Sequence, residues 1–586
     1  FSVRGEGSNE EWNVGEQGAK DILDAVVNNM TLVYRRYVRG EGMQTDEELT
    51  ATLRVKADEM RDAFSQFVKT TEEQVSDPEF EGQTIPIPDL AEREFNQKVN
   101  GIKPPDYVGD WVKLPGQSGI IWLKPFRKAV LARLITQGRG MMAHGVGSGK
   151  TYNQIALAME LRRLGKARKP VIVVQNSTIN QFAASFRKAY PQAKILVATP
   201  RSYNAQTRAR FTARMATGDW DAIIMTHSNI DLIGHSAETV SAYFAKELEE
   251  LDAAIMSSDG SDQQSDLQKA RDSLIEKRDE MMQALGERQD DTLNWEDIGV
   301  DALIVDEAHA FKNAPVVTNR GRDIKNIPSS GVGSQRADSM MMKTRSVRER
   351  NNQRGVFFAT GTPVSNSMAE AFIMLRYIAP DMLEANGIRN FDDFASQYGD
   401  VVSQAESTWD GKVKMVDRFA KFVNGQQLIN LVRSVFDVAM GNESLGIDVP
   451  TVKGGKPRQV VVAATPANIA FNNWILREVS PSWERITRKD IEANPKLSAV
   501  PIMTMQAGIA AALDPRLIHD NAPDDPNSKV NTAIREVLRT YKAGTDRKTA
   551  QVIFSDLFNS FNMDILEGFA GHPFEEYGEN PIRKNG

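Results

Sequence analysis

Six apolar runs of four to six residues are spaced through residues 140 to 360: "GMMAH" at 140–144, "VIVV" at 171–174, "ILVAT" at 195–199, "AIIMT" at 222–226, "ALIV" at 302–305 and "GVFFAT" at 355–360. Runs this short and this apolar suit strands buried on both faces. Helical stretches separate them, and strands that alternate with helices build a parallel sheet covered by helices. The expectation is an α/β fold.

The turn after the first run, in "AHGVGSGKT", concentrates glycine ahead of a helix start. The backbone from Gly145 through Gly147 and Ser148 to Gly149 can wrap a β-phosphate. Lys150 can reach the β and γ oxygens, and the Thr151 hydroxyl can ligate Mg²⁺. His144 stands where the strict pattern has glycine and is read as a packing residue. A glycine-rich turn without a ligand is the alternative. A phosphate loop needs an acid at the end of a neighbouring strand, and "DALIVDEAHAFKN" supplies one. Asp306 would hold the metal, Glu307 would orient and activate water, and His309 completes the run. Alone, an acidic pair after an apolar strand is more often a helix cap; the phosphate loop tips the reading to an ATPase. In "VFFATGTPVSNS", Thr360, Gly361 and Thr362 follow another strand, where they could sense the γ-phosphate side and couple its loss to the rest of the chain.

The ordered set "AHGVGSGKT", "VIVVQNSTINQF", "MTHS", "VDEAH" and "FATGTP" resembles the first RecA-like lobe of a Swi/Snf-like superfamily-two helicase, a class of DNA translocases. "LAEREFNQKVN", "ATGDWDAIIMTHS", "GVFFATGTPVSNSMAEAF", "KFVNGQQL" and "VKGGKP" extend the likeness over residues 90 to 560. With them the chain resembles the helicase part of DarB-like phage antirestriction proteins, which join an adenine methyltransferase to a Snf-like helicase. The resemblance implies a RecA-like P-loop ATPase lobe using ATP and Mg²⁺, double-stranded DNA as partner, and action in the bacterial host cytoplasm or carriage in the virion. The family reads adenine with a glutamine upstream of the loop; in "WLKPFRKAVL" that position is Arg127. No methyltransferase signature occurs, so such a module, or other phage proteins, would be partners outside this chain.

A formal charge of −7 gives no global attraction to nucleic acid. Residues 312 to 354 are nonetheless basic, with Lys312, Arg320, Arg322, Lys325, Arg336, Lys343, Arg345, Arg348, Arg350 and Arg354 against three acids and no aromatic residue. That composition suits phosphate tracking along a duplex rather than base stacking; a solvated basic loop is the alternative. Residues 236 to 297 are acidic and helical, and read as an inserted hairpin.

The expected organisation is a helical N-terminal extension and linker over 1–115, whose proline-rich "GQTIPIPDLAE" is not regular structure. The first RecA-like lobe spans 116–380, a mixed helical region 381–455, and the start of a second RecA-like lobe, incomplete, 456–586. No stretch approaches the ~20 apolar residues of a membrane span, the N-terminus lacks a secretion signal, and no membrane partner is expected. Without cysteine the chain has no disulfide or thiolate site. Starting at Phe1 and lacking a second-lobe arginine stretch, it reads as part of a longer polypeptide that turns ATP over poorly by itself. The function expected is an ATP-dependent DNA translocase or helicase. A turnover-deficient, virion-associated scaffold and a phage DNA-packaging motor are the alternatives.

Overall fold

The computed structural model describes residues 12–15, 17–27, 35–38, 42–80, 82–96, 106–119, 123–257, 261–286, 293–318, 334–365, 367–407, 413–440, 458–518 and 522–544, with isolated positions between them. All six apolar runs form strands: β1 Gly140–His144, β2 Pro170–Val174, β3 Ile195–Val197, β4 Ala222–Thr226, β5 Ala302–Asp306 and β6 Val356–Thr360. A seventh, β7 Phe436–Ala439, joins them in one sheet of order β7-β1-β6-β5-β2-β4-β3. Its strand pairs are parallel. The fold is the expected α/β class.

Successive strand side chains face opposite sides of a sheet, and here both sides are apolar. Met141, Val171, Val173, Ile223, Leu303, Val305 and Phe358 enter one core; Met142, Ile172, Val174, Ile224, Ile304 and Phe357 enter the other. Each such side chain, fully buried, contributes about 1.5–3 kcal/mol. Helices α1 Pro125–Gln137, α2 Lys150–Arg163 and α3 Ile179–Ala189 cover the second face. The first is covered by α4 Arg208–Thr217, the inserted hairpin of α6 Ala237–Ser257 and α7 Ser261–Gly286, then α8 Gln335–Arg350, α9 Met368–Ile378 and α10 Gly425–Val435. The short α5 His227–Asp231 follows β4 directly.

The hairpin forms where its composition places it, and two of its acids, Glu247 and Glu250, are used inward. Arg376 of α9 pairs with Glu247 and, at 3.4 Å, with Glu250 of α6; Lys277 of α7 pairs with buried Asp338 of α8. The sheet also extends past the expected boundary at 380, because β7 lies against β1 and α10 packs on the same core.

In the N-terminal extension the expected helix spans Glu47–Thr70, capped by the Asp46 side chain accepting from Leu49 N–H. The proline-rich stretch departs from expectation: Thr84–Pro86 is a strand and Ile87–Phe95 a helix. Proline fits the first turn of a helix, where its missing N–H has no partner to lose.

The chain divides into two compact units, residues 1–403 with 417–449, and residues 404–416 with 450–586. From 466 onward the regular elements among the described residues of the second unit are all helices. Helices α11 Pro466–Trp474 and α12 Val500–Leu513 pack Phe471, Trp474, Val500, Ala507, Ala510 and Ala511 into a small core. The helix expected to open a second lobe is α13 Lys529–Ala543, capped by Ser528; the strand expected after it, at 550–557, lies almost wholly outside the described residues. Contrary to expectation, Lys496–Leu513 is by length and composition alone apolar enough to cross a membrane. Its α-helical part, α12, spans only ~21 Å against ~30 Å of hydrocarbon.

Candidate active site

Strand order brings three chemically marked ends together. β6 lies between β1 and β5, with Thr360 in register with Ala143 and Ala359 with Asp306. The glycine turn, the "TGT" turn and the acidic pair thus share the carboxyl edge of the sheet, where open α/β sheets bind ligands.

The glycine turn leads into α2. Gly147 and Gly149 take φ of +81 and +85, a region glycine enters without strain. Gly145 N–H donates to the Ala439 carbonyl of β7 at 3.0 Å. Lys150 Nζ donates to the carbonyls of His144, at 2.9 Å, and Gly145, at 3.2 Å, which aims the ammonium into the turn. Thr151 follows on the first turn of α2. The Ser148 hydroxyl is buried and finds no hydrogen-bond partner among the described residues. His144 is buried as a packing residue, and its Nε2 lies 2.7 Å from Asp437 of β7, which also pairs with Arg133 at 3.1 Å. Burial opposes the charge on Asp437, but the His144 and Arg133 contacts outweigh it and hold its pKa below the ordinary value. Arg127, near the start of α1, rests on Gly149.

Asp306 ends β5. Gln154, one turn beyond Lys150, donates to its Oδ1 at 2.7 Å. Burial pushes the Asp306 carboxyl pKa up, against the pull of Gln154 and Lys150. His227 Nε2 lies 2.8 Å from the Asp306 carbonyl; a carbonyl only accepts, so the proton sits on Nε2. Burial lowers the His227 pKa. Glu307 has a left-handed backbone, φ 49 and ψ 49. His309 Nδ1 lies 3.2 Å from Glu307 Oε2 and 3.0 Å from Thr360 Oγ1, which in turn accepts from Thr362 N–H at 3.1 Å. A continuous polar path therefore joins the acidic pair to the "TGT" turn. Gly361 closes on the phosphate loop: a Cβ there would lie 3.8 Å from Lys150 Nζ.

The acid set fits a metal that arrives with a ligand. Among the described residues no three His, Asp or Glu side chains form a metal-binding group. Mg²⁺ needs only one or two carboxylates when phosphates supply its other ligands.

The basic run does not make one surface. Lys343 is 1% exposed and donates to the Ile233 carbonyl at 3.0 Å and Ser339 Oγ at 2.6 Å; Arg348, also buried, donates to the Tyr377 carbonyl. Neither is free to track phosphates, because α8 is a core helix with Ala337, Met341, Thr344 and Arg348 on one buried row. Arg345 pairs with Glu349, Arg336 with Asp231, and Lys312 with Glu370 at 2.8 Å. Arg320 and Arg322 lie outside the described residues. Sequence reasoning missed Gln154, Asp437 and Arg133. The i, i+4 spacing from Lys150 could have flagged Gln154; nothing local flags Asp437, which reaches the loop only through pairing of β7 with β1.

A lobe with a phosphate-type loop, an acidic strand end and a "TGT" turn on one parallel-sheet edge is of helicase type. The family model described as "Probable helicase domain" matches residues 133–439, just over half of the chain, and the chain belongs to that family. Such membership implies, in general terms, an ATPase-type enzyme using nucleotide and Mg²⁺. Among curated proteins the chain is similar to the Defense against restriction protein B of Escherichia phage P1, 23% identical over an alignment of 382 positions that covers 58% of this chain and 17% of that protein. The match thus spans under a fifth of the relative's length. Among solved structures it is similar to the Sulfolobus solfataricus SWI2/SNF2 ATPase core in complex with dsDNA, at a TM-score of 0.31 and 11% identity over 75% of this chain and 66% of that one. The same ATPase core domain gives a TM-score of 0.31 and 12% identity over 75% and 68%.

Proposed function

We propose that this chain is the motor lobe of an ATP-driven DNA translocase of Swi/Snf-like type, acting on double-stranded DNA as part of a larger antirestriction or DNA-processing protein. The convergence of Lys150, Asp306, Glu307 and Thr360 on one sheet edge carries the reading. The turn from Gly145 to Gly149 cradles the phosphate chain and Lys150 neutralises its terminal oxygens. Thr151 and Asp306 are the residues that would hold Mg²⁺, which when bound offsets charge on the β and γ oxygens. Glu307 orients the attacking water and takes up its proton. His309 passes the state of Glu307 to Thr360 and the backbone of Thr362, the route by which loss of the γ-phosphate is felt outside the site. A methyltransferase module belongs to the larger protein, and the bacterial cytoplasm is the place of action.

One observation favours a second reading, a helicase-like scaffold without turnover: the basic residues described in α8 are largely spent inside the lobe. Phosphate release with and without duplex DNA separates the two. We expect duplex to stimulate release. Lys150→Ala should abolish nucleotide binding, whereas Glu307→Gln should keep it and slow hydrolysis by about a hundredfold or more, since the glutamate acts in the transition state. Absence of stimulation by duplex overturns the translocase reading, and equal loss of binding in both variants overturns the role of Glu307.

A further inference from the structure

We infer that Arg127 binds the phosphate chain of the nucleotide rather than reading its base, so that the site takes nucleoside triphosphates with little discrimination among bases. The inference rests on the phosphate-loop reading above and extends it.

Three observations carry it. The first is contact. A Cβ on Gly149 would stand 2.5 Å from Arg127 Cζ and 2.7 Å from each of its terminal nitrogens, so the guanidinium lies directly on the α-carbon of the last loop glycine. Only glycine permits that approach, and the φ of +85 at this position disfavours any other residue too. Gly149 precedes Lys150, whose ammonium turns into the same loop. Two cations therefore stand on the turn, Arg127 at Gly149 and Lys150 at the carbonyls of His144 and Gly145.

The second is unmet bonding capacity. Arg127 Nε is buried and has no hydrogen-bond partner among the described residues, and the neighbouring Ser148 hydroxyl is likewise unpartnered. A half-buried cation with an unused donor is expensive unless an acceptor meets it. Burial draws the Arg127 pKa down from its ordinary value, yet a guanidinium stays charged at any physiological pH.

The third is donor chemistry. A guanidinium has five N–H donors and no acceptor. The N7 and N6–H₂ edge of adenine asks for one donor and one acceptor, which an amide supplies and a guanidinium does not. Phosphate oxygens only accept, and they match the fork in two-point fashion. The O6 and N7 edge of guanine also only accepts, so guanine reading is the competing outcome that a test must expose.

The test measures Kd for inorganic tripolyphosphate, ATP and GTP, each with Mg²⁺, on the whole chain and on Arg127→Ala, Arg127→Lys and Lys150→Ala, with thermal melting to verify folding. We expect Arg127→Ala to weaken all three ligands by the same factor of about ten, one charge-assisted contact, and Arg127→Lys to recover part of that loss on all three. Tripolyphosphate affinity unchanged in Arg127→Ala, with GTP alone weakened, overturns the inference in favour of guanine reading. A loss confined to ATP overturns it in favour of adenine reading. If Lys150→Ala also leaves tripolyphosphate binding intact, or the whole chain binds none of the three, the phosphate-loop reading itself has failed, and this is distinct from failure at Arg127 alone.

Discussion

His235 shows how a single buried residue can set the response of this lobe to pH. It lies beside Lys343, with Nδ1 3.1 Å from Glu296 and Nε2 3.2 Å from both Ser339 Oγ and Lys343 Nζ. Burial first, and the Lys343 charge second, lower its pKa from 6.5 to about 4. Between those values the unfolded chain takes up a proton that the folded chain refuses, so stability falls as pH drops through that window. Glu247 acts with the opposite sign: burial raises its pKa to about 7 despite Arg376, and its contribution is lost as pH rises. The informative measurement is therefore a difference. From pH 7 to pH 4 the wild type should lose about 3 kcal/mol more unfolding free energy than His235→Gln. Equal losses in denaturant titrations would show that His235 does not titrate as its surroundings dictate. Single residues of the candidate site were the most legible part of the sequence, because glycine spacing, Lys150 and the acidic pair stand out locally. The charge on Lys343 was legible too, but not its address.

Elements explain why. Five of the six strands could be read because both their faces are buried and their polar residues, among them His144, Thr226, Asp306 and Thr360, stand only at carboxyl ends; β3, at the sheet edge, is read from its apolar run although half-buried. Helix α8 misled because basic residues attract notice while the row from Ala337 through Met341 to Thr344, which fixes its buried face, does not. The hairpin of α6 and α7 then covers what that row leaves open. Lys343→Ala should accordingly behave as a core mutation. It removes the Lys343 donor from the Ile233 carbonyl and leaves Ser339 with His235 as its partner, and should cost about 2–4 kcal/mol. The salt dependence of duplex binding should stay unchanged, since no phosphate contact is removed. A flatter slope of log affinity against log salt in this variant would return Lys343 to the DNA-contacting set. β7 was illegible for another reason: four residues with one acid make a weak strand signal, and only its position beside β1 gives it meaning.

For the molecule as a whole, the division into two compact units is a statement about cooperativity. The first unit holds two large cores on either side of the seven-stranded sheet, whereas the described core of the second is the small cluster around Phe471 and Trp474. Calorimetry should resolve two transitions, the second unit melting first, and saturating nucleotide should raise only the higher one, because a ligand stabilises the unit that binds it. A single transition that shifts as a whole would show that the two units unfold as one. The bond from Gly145 to Ala439 also puts the site on a clock. At ~5–20 residues per second, a ribosome delivers Ala439 roughly 15–60 s after Gly145. Throughout that interval β1 has no outer neighbour and the loop lacks one of its anchors. For most of it β1 also lacks its inner neighbour β6, so the carboxyl edge of the sheet is assembled late and the candidate site is finished only when β7 emerges.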